Sequence, residues 1–148
     1  MCPLKRLYSI HIWHCRRIEN YQYKSTVVSP KISDVDVFSY TEDEKFVYVN
    51  FLQISLGSIV RSFNIEIKST IDEGIKKIIE LAAIEIRLKF NSLSPIIYCS
   101  IAVDLGENVK IEVPKIGDKK KILDLSYKNA IQFKFDRLKQ IKIVDPER

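Results

Sequence analysis

The stretch "DVDVFSYTEDEKFVYVNFLQISLGSIVRSFNIEIK", residues 34–68, decides the fold. It divides into three strand candidates. The first, "DVDVFSY" at 34–40, puts Val35, Val37 and Ser39 on one face because side chains alternate along a strand. The second, "KFVYVNFLQI" at 45–54, is rich in β-branched and aromatic residues, which suit a pleated, half-buried surface. The third, "SIVRSFNIEIK" at 58–68, sets Ile59, Arg61, Phe63, Ile65 and Ile67 against Ser58, Val60, Ser62, Asn64, Glu66 and Lys68. The polar "TEDE" at 41–44 reads as one hairpin turn, and Gly57 as a second, tighter one. Connections this short join antiparallel neighbours, so the three strands form a meander.

Working outward, the strongest helix signal follows the meander. Thr70 and Glu73 have the T-x-x-E spacing of a capping box. Ile71, Ile75, Ile78, Ile79, Ala82, Ile86 and Phe90 then fall on one helical stripe. Gly74 weakens that helix locally by roughly 1 kcal/mol relative to Ala, and the helix is expected to end near Asn91. "PIIYCSIAV" at 95–103 is an unbroken apolar run, the pattern of a strand buried on both faces and often parallel. "VKIEVP" at 109–114 is a further short strand. Pro114, Gly117 and Asp118 read as a turn and an N-cap, opening a last helix from Asp118 to about Ile141. Its apolar face is Leu123, Tyr127, Ala130, Ile131, Leu138 and Ile141, interrupted by Lys134. Before the meander, residues 1–29 read as a leader in which 15–22 are the end of a helix and "KSTVVSP" is extended up to Pro30.

The order β-β-β-α-β-β-α is the layout of a ribonuclease H-like α+β fold, a mixed sheet with two main helices against its faces. The interval between Val103 and Val109 is short for the usual second helix, so that element is reduced or missing. A generic α+β sandwich is the competing reading. The division that follows is a leader at 1–29, a folded unit at 30–142 and a connector at 143–148.

Length and composition bound the function. A chain of 148 residues with 46% hydrophobic and 29% charged residues is long enough to bury a core as one domain with a tail. No apolar run approaches the length of a membrane span, and His11 and His14 interrupt any signal-peptide core at the N-terminus, so a cytoplasmic protein is expected. Three irregularly spaced cysteines, Cys2, Cys15 and Cys99, argue against a disulfide framework. Charge is unevenly spread. Residues 115–142 carry nine basic and three acidic side chains, whereas residues 33–73 carry three basic and eight acidic ones. A basic segment in an otherwise balanced chain is the footprint of a polyanion surface; a lysine-rich solvated helix face is the alternative.

That basic segment opens with "KIGDKKK", and Lys119, Lys120 and Lys121 fall in the first turn of the last helix. The helix macrodipole disfavours positive charge there by about 0.3–1 kcal/mol each. Free N–H groups at a helix start together with lysines make a place for an anion. Lys115, Lys119, Lys120 and Lys121, with Lys128 two turns on, are the candidate phosphate contacts. In the competing reading Lys119 and Lys120 only face solvent and Lys121 pairs with Asp118 or Asp124.

Three stretches resemble the central region of the UvrC family, the incision subunits of bacterial nucleotide excision repair, in their Bacteroidetes-type form. They are "ENYQYKSTVVSPKISDVDVFSY" at 19–40, "IEVPKIGDKKKILDLSYKNA" at 111–130, and "FDRLKQIKIVDPER" at 135–148. The resemblance runs from about residue 17 to residue 148. It implies a module between a UvrB-binding hairpin, of which "RRIENYQ" at 16–22 is similar to the tail, and a C-terminal nuclease domain. It also implies DNA as a sequence-independent partner and UvrB as a further one, with no membrane and no small-molecule substrate. Neither the N-terminal GIY-YIG motif nor the C-terminal nuclease and helix-hairpin-helix motifs of the family occur in these 148 residues.

The nuclease-domain pattern of that family has an aromatic residue directly before a metal-binding Asp. With Phe38 as the aromatic, Ser39 occupies the Asp position, and a serine lacks the anionic oxygen a hard cation demands. Two-metal chemistry needs carboxylates that hold two ions about 3.5–4 Å apart. Asp36, three residues from Ser39, points to the opposite face; Glu42, Asp43 and Glu44 are solubilising turn residues; Asp104 is the remaining possible ligand. His11, His14, Cys15 and Cys2 lack the spaced pairs of a zinc site, and "KIGDKKK" lacks the P-loop pattern. The expectation is a non-catalytic module with no catalytic residue, metal or cofactor of its own. The alternatives are a stand-alone metal-dependent nuclease and a purely structural spacer.

Overall fold

The computed structural model of the chain describes residues 13–14, 26–27, 31–69 and 74–144. The elements are β1 (Trp13–His14), β2 (Thr26–Val27), β3 (Val35–Glu42), β4 (Phe46–Ser55), β5 (Ser58–Lys68), α1 (Ile75–Lys89), β6 (Ile96–Cys99), β7 (Lys110–Glu112) and α2 (Gly117–Val144). They form one mixed sheet in the order β1-β5-β4-β3-β6-β7, with β2 also on β5. β3, β4 and β5 are antiparallel neighbours, and β6 lies parallel to β3 and β7 parallel to β6. The five longer strands, counted along the chain, thus lie 3-2-1-4-5 across the sheet, with α1 as the crossover. This is the expected ribonuclease H-like arrangement. β1 and β2, which come from the stretch assigned to a leader, pair antiparallel with β5. The proposed helix end at 15–22 and the Thr70–Glu73 capping box lie outside the described residues.

Each helix covers one face of the sheet. Against α1 pack Phe38, Val47, Val49, Phe51, Phe63, Ile65, Ile67, Ile97 and Cys99, meeting Ile78, Ile79, Ala82, Ala83 and Ile86. Phe90 closes α1 as its C-cap, its ring stacked on Phe51 at 5.8 Å and set edge-on to Phe63 at 5.1 Å. Against α2 pack Val35, Val37, Leu52, Ile54, Ile59 and Tyr98, meeting Ile122 and Leu123, with Tyr48 and Phe133 further along. β3 is buried on both faces because it is central, and so Phe38 and Val37 are both fully covered.

Several local expectations give way to specific geometry. Leu56 and Gly57 both have positive φ, 53° and 79°, the requirement of a two-residue type I′ hairpin turn. β4 and β5 then slip register between Gln53 and Ile54: Ile54 faces Ile59 while Gln53 faces Arg61. The extra residue, Val60, flips the side chains before it, so Ile59 packs under α2 while Phe63, Ile65 and Ile67 pack under α1. Gly74 is the N-cap of α1, not an interior residue, with extended backbone (φ −70°, ψ 160°). Thr41 and Glu42 continue β3, which moves the hairpin turn to Asp43, Glu44 and Lys45. β6 covers only Ile96–Cys99, and residues 100–109 cross to β7 without a helix.

The buried stripe of α2 also differs from the expected one. Ile122, Leu123, Ser126, Ala130 and Phe133 face the sheet, whereas Tyr127 is 45% exposed. A polar seam crosses the middle of this interface. The Ser126 hydroxyl donates to Asn50 Oδ1 at 2.8 Å, and Asn50 Nδ2 donates to Asn64 Oδ1 at 2.9 Å. Further along, Arg137 Nε donates to Glu66 Oε2 at 2.6 Å, with Glu66 buried on β5. Buried polar groups need such partners, since each unsatisfied one costs about 1–3 kcal/mol. The seam therefore fixes where along the sheet α2 sits. Among the described residues no helix is long and apolar enough to cross a membrane.

Candidate nucleic-acid interface

α2 begins at Gly117, whose φ of +82° turns the chain out of the β7 loop. Asp118 therefore lies inside the first turn, beside the lysines, where its negative charge suits the helix dipole. The five candidate lysines do not behave alike. Lys119 Nζ pairs with Glu112 Oε1 on β7 at 2.9 Å and lies 5.7 Å from the Tyr98 ring centre. The hydrogen bond to Glu112 raises the Lys119 pKa above its ordinary value. Lys120 pairs with Asp124 one turn on, also at 2.9 Å. Lys121, which the competing reading pairs with Asp118 or Asp124, has no ion pair or hydrogen bond among the described residues, and neither have Lys115 and Lys128; all three are exposed. Internal pairing thus occupies two of the five, and three present their charge to solvent.

Helical periodicity continues this surface in a way the lysine run did not reveal. Positions 121, 128 and 135 recur every seven residues and 139 follows four later, so Lys121, Lys128, Phe135 and Lys139 share the outer side of α2, away from Ile122, Ser126, Ala130 and Phe133. All four are exposed, Phe135 by 53%. At a rise of about 1.5 Å per residue the row extends roughly 27 Å. Two of the three acids of the helix are engaged, Asp124 by Lys120 and Asp136 by Gln132, while Asp118 stays in the first turn. The signal missed in the sequence was the phase of the helix. Ser126, buried, and Arg137, half-buried, are polar residues on the true inner stripe, and the apolar pattern therefore points to Tyr127 in their place.

The carboxylates are arranged for structure. Asp36, on β3 and fully buried, receives Arg87 Nη1 of α1 at 2.6 Å and the Ser92 hydroxyl at 2.5 Å, both on Oδ2. Arg87 Nη2 donates to the Ser94 carbonyl at 3.0 Å. Burial pushes the Asp36 carboxyl above its ordinary range, while Ser92, Arg87 and Ser94 pull it back. The Arg87 guanidinium thus takes the place beside Asp36 Oδ2, while Asp36 Oδ1 is buried without a hydrogen-bond partner among the described residues. Ser39 faces Asn50 across β4, on the α2 side of the sheet and opposite Asp36, with its hydroxyl buried and unpartnered among the described residues. Asp104 is exposed; its Oδ1 accepts from Gly106 N at 3.0 Å, and its own N–H donates to Glu80 at 2.8 Å. Asp43 is not a mere solubilising group. Its carboxylate accepts from Lys45 N, Phe46 N and the Tyr48 hydroxyl, each at 2.8 Å. Burial raises its pKa, but these hydrogen bonds outweigh it and hold the carboxyl below its ordinary value. Among the described residues no three His, Cys, Asp or Glu side chains come together as metal ligands.

Comparison with known proteins places this geometry. The family model described as "UvrC Ribonuclease H-like domain" matches residues 34–136. UvrABC system protein C of Christiangramia forsetii is 56% identical over 131 residues, covering 88% of this chain and 22% of that protein. The same-named protein of Flavobacterium johnsoniae is 53% identical over the same coverage, and that of Porphyromonas gingivalis is 37% identical over 133 residues. The chain therefore spans about a fifth of the length of these curated relatives. No solved structure matches it significantly.

Proposed function

Because the chain belongs to the UvrC ribonuclease H-like domain family, we propose that it is a non-cutting module of an excision-repair subunit, one that grips the DNA phosphate backbone while nuclease domains act elsewhere. Residues 30–142 are the working unit of this reading, entered from the leader and left through the connector at 143–148. Its setting is the bacterial cytoplasm, with DNA as the principal partner and UvrB as a further one. The observation that carries the reading is the exposure of Lys115, just before α2, and of Lys121 and Lys128 on it, without internal partners among the described residues, whereas Lys119 and Lys120 are paired. Such contacts are independent of base sequence, because phosphates carry no sequence information, and this suits a system that acts wherever damage occurs. The lack of cutting follows from Asp36, whose charge is spent on Arg87, and from Ser39, which offers a neutral oxygen where a hard cation needs an anionic one.

The test is incubation of the purified chain with duplex and nicked DNA in magnesium or manganese, followed by gel analysis. Intact DNA and a salt-sensitive complex are expected. Cleavage that is lost on Asp36→Asn or Asp104→Asn would replace this reading with that of a stand-alone metal-dependent nuclease. Intact DNA with no complex at any salt would leave a structural spacer.

A further inference from the structure

We infer that the outer face of α2 takes an unpaired nucleic-acid strand, with the Phe135 ring stacking on a base and Lys121, Lys128 and Lys139 holding the phosphates on either side. This rests on the reading that the chain grips nucleic acid through α2, and it specifies the form of the ligand. Phe135 stands in the row of exposed lysines, seven residues after Lys128 and four before Lys139. Its ring is 53% exposed, and it has no aromatic or cationic neighbour among the described residues, unlike Phe90, which is held between Phe51, Phe63 and Arg61. Phe133, two residues away, shows what this helix does with a ring it buries: it sits edge-on to Tyr48 at 5.9 Å.

A duplex can use such a ring only by unstacking a base step, at a cost of about a few kcal/mol. Base faces are stacked inside it, and only edges and phosphates are available to a helix surface. An unpaired strand offers both parts at once. Its phosphates meet the lysines, and its base faces are free to stack, a contact tolerant of sequence because every base has a π-face. The charge around Phe135 matches that ligand. Lys121, Lys128 and Lys139 have no partner among the described residues, and two of the three acids on the helix, Asp124 and Asp136, are bonded to Lys120 and Gln132, leaving Asp118 in the first turn, more than four turns from Phe135. Tyr127, 45% exposed on the flank of the same helix, lies next to Lys128 and extends the aromatic surface.

The experiment compares fluorescence anisotropy of a labelled oligothymidine with that of a labelled mixed-sequence duplex of equal length, using the 148-residue chain. The single strand is expected to bind more tightly at equal salt. Phe135→Ala is expected to weaken the single strand about tenfold, the effect of losing one base–aromatic stack, and to leave the duplex unchanged. Phe135→Trp is expected to retain binding, with an indole emission that the strand quenches. Since the ring is exposed, neither change threatens the fold, and circular dichroism verifies this. Equal or tighter binding of the duplex, with Phe135→Ala without effect, overturns the inference while leaving the lysine contacts intact. Self-association that Phe135→Ala abolishes also overturns it, because the ring then covers a second copy of the chain. Failure of both nucleic acids to bind removes the proposed function itself.

Discussion

Replacing Arg87 by Met tests whether Asp36 belongs to the fold or to a metal site. Met keeps much of the apolar stem of Arg87 but removes the guanidinium that meets Asp36 Oδ2 at 2.6 Å. Asp36 has no exposed side-chain surface, while Arg87 retains 14%, so the carboxylate is the stranded partner. Breaking a buried pair from one side costs about 3–5 kcal/mol. For a chain of this size 1 kcal/mol moves the melting midpoint by roughly 3 °C, so a fall on the order of 10 °C is expected at neutral pH. Burial already pushes the Asp36 carboxyl upward, and loss of Arg87 pushes it further. The variant therefore recovers stability as the pH falls and Asp36 becomes neutral. Asp36→Leu combined with Arg87→Met removes both charges and is expected to return within about 1 kcal/mol of the parent, since apolar replacement of a buried pair is often neutral. Thermal and urea denaturation of the parent, Arg87→Met, Asp36→Leu and the double variant measures the cycle. If Arg87→Met alone lies within about 1 kcal/mol of the parent, or if magnesium raises the midpoint of the parent chain, the structural account of Asp36 is wrong.

Three other perturbations have definite signs. Glu85 is buried in α1, and desolvation raises its pKa above 4.5; a carboxyl raised on folding lowers stability as pH rises through that window. Glu85→Gln should therefore stabilise the fold at neutral pH and converge with the parent below pH 4.5, as urea midpoints across pH will show. Asp43 has the opposite sign. Its contribution is complete above 3.8 and is lost as pH falls through its lowered folded value, so the cost of Asp43→Asn, about 1 kcal/mol for weakened charge-assisted bonds, should shrink only in strong acid. Leu56→Asn should raise stability by about 0.5–1 kcal/mol, because Leu56 holds a φ of 53° that asparagine adopts more readily; thermal denaturation reads the gain.

The reach of the sequence followed what each feature depends on. The meander, α1 and the parallel β6 were legible, since alternation, helical spacing and an unbroken apolar run are local patterns. The face of Ile59 was not, because it depends on a register slip opposite Gln53 and Ile54 that no local pattern in β5 marks. The pairing of Asp36 with Arg87 joins residues 51 apart, and only the crossover of α1 brings them together. Asp43 read as a turn solubiliser because its partners are two backbone N–H groups and a tyrosine hydroxyl, all invisible in composition. The lysine run at 119–121 marked the opening of the last helix. Which lysines remain available was decided by Glu112 and Asp124, and the outer row was hidden by the phase error at Ser126 and Tyr127.

The salt dependence of DNA binding tests the central claim most directly. Anisotropy titrations of the parent chain and of the combined Lys115→Ala, Lys121→Ala and Lys128→Ala variant, repeated from low to moderate salt, yield the slope of log affinity against log salt concentration. Three duplex phosphate contacts predict a slope that is less steep in the variant by about 2–3, with affinity lowered similarly on unrelated sequences. An unchanged affinity and slope in the variant would contradict the account.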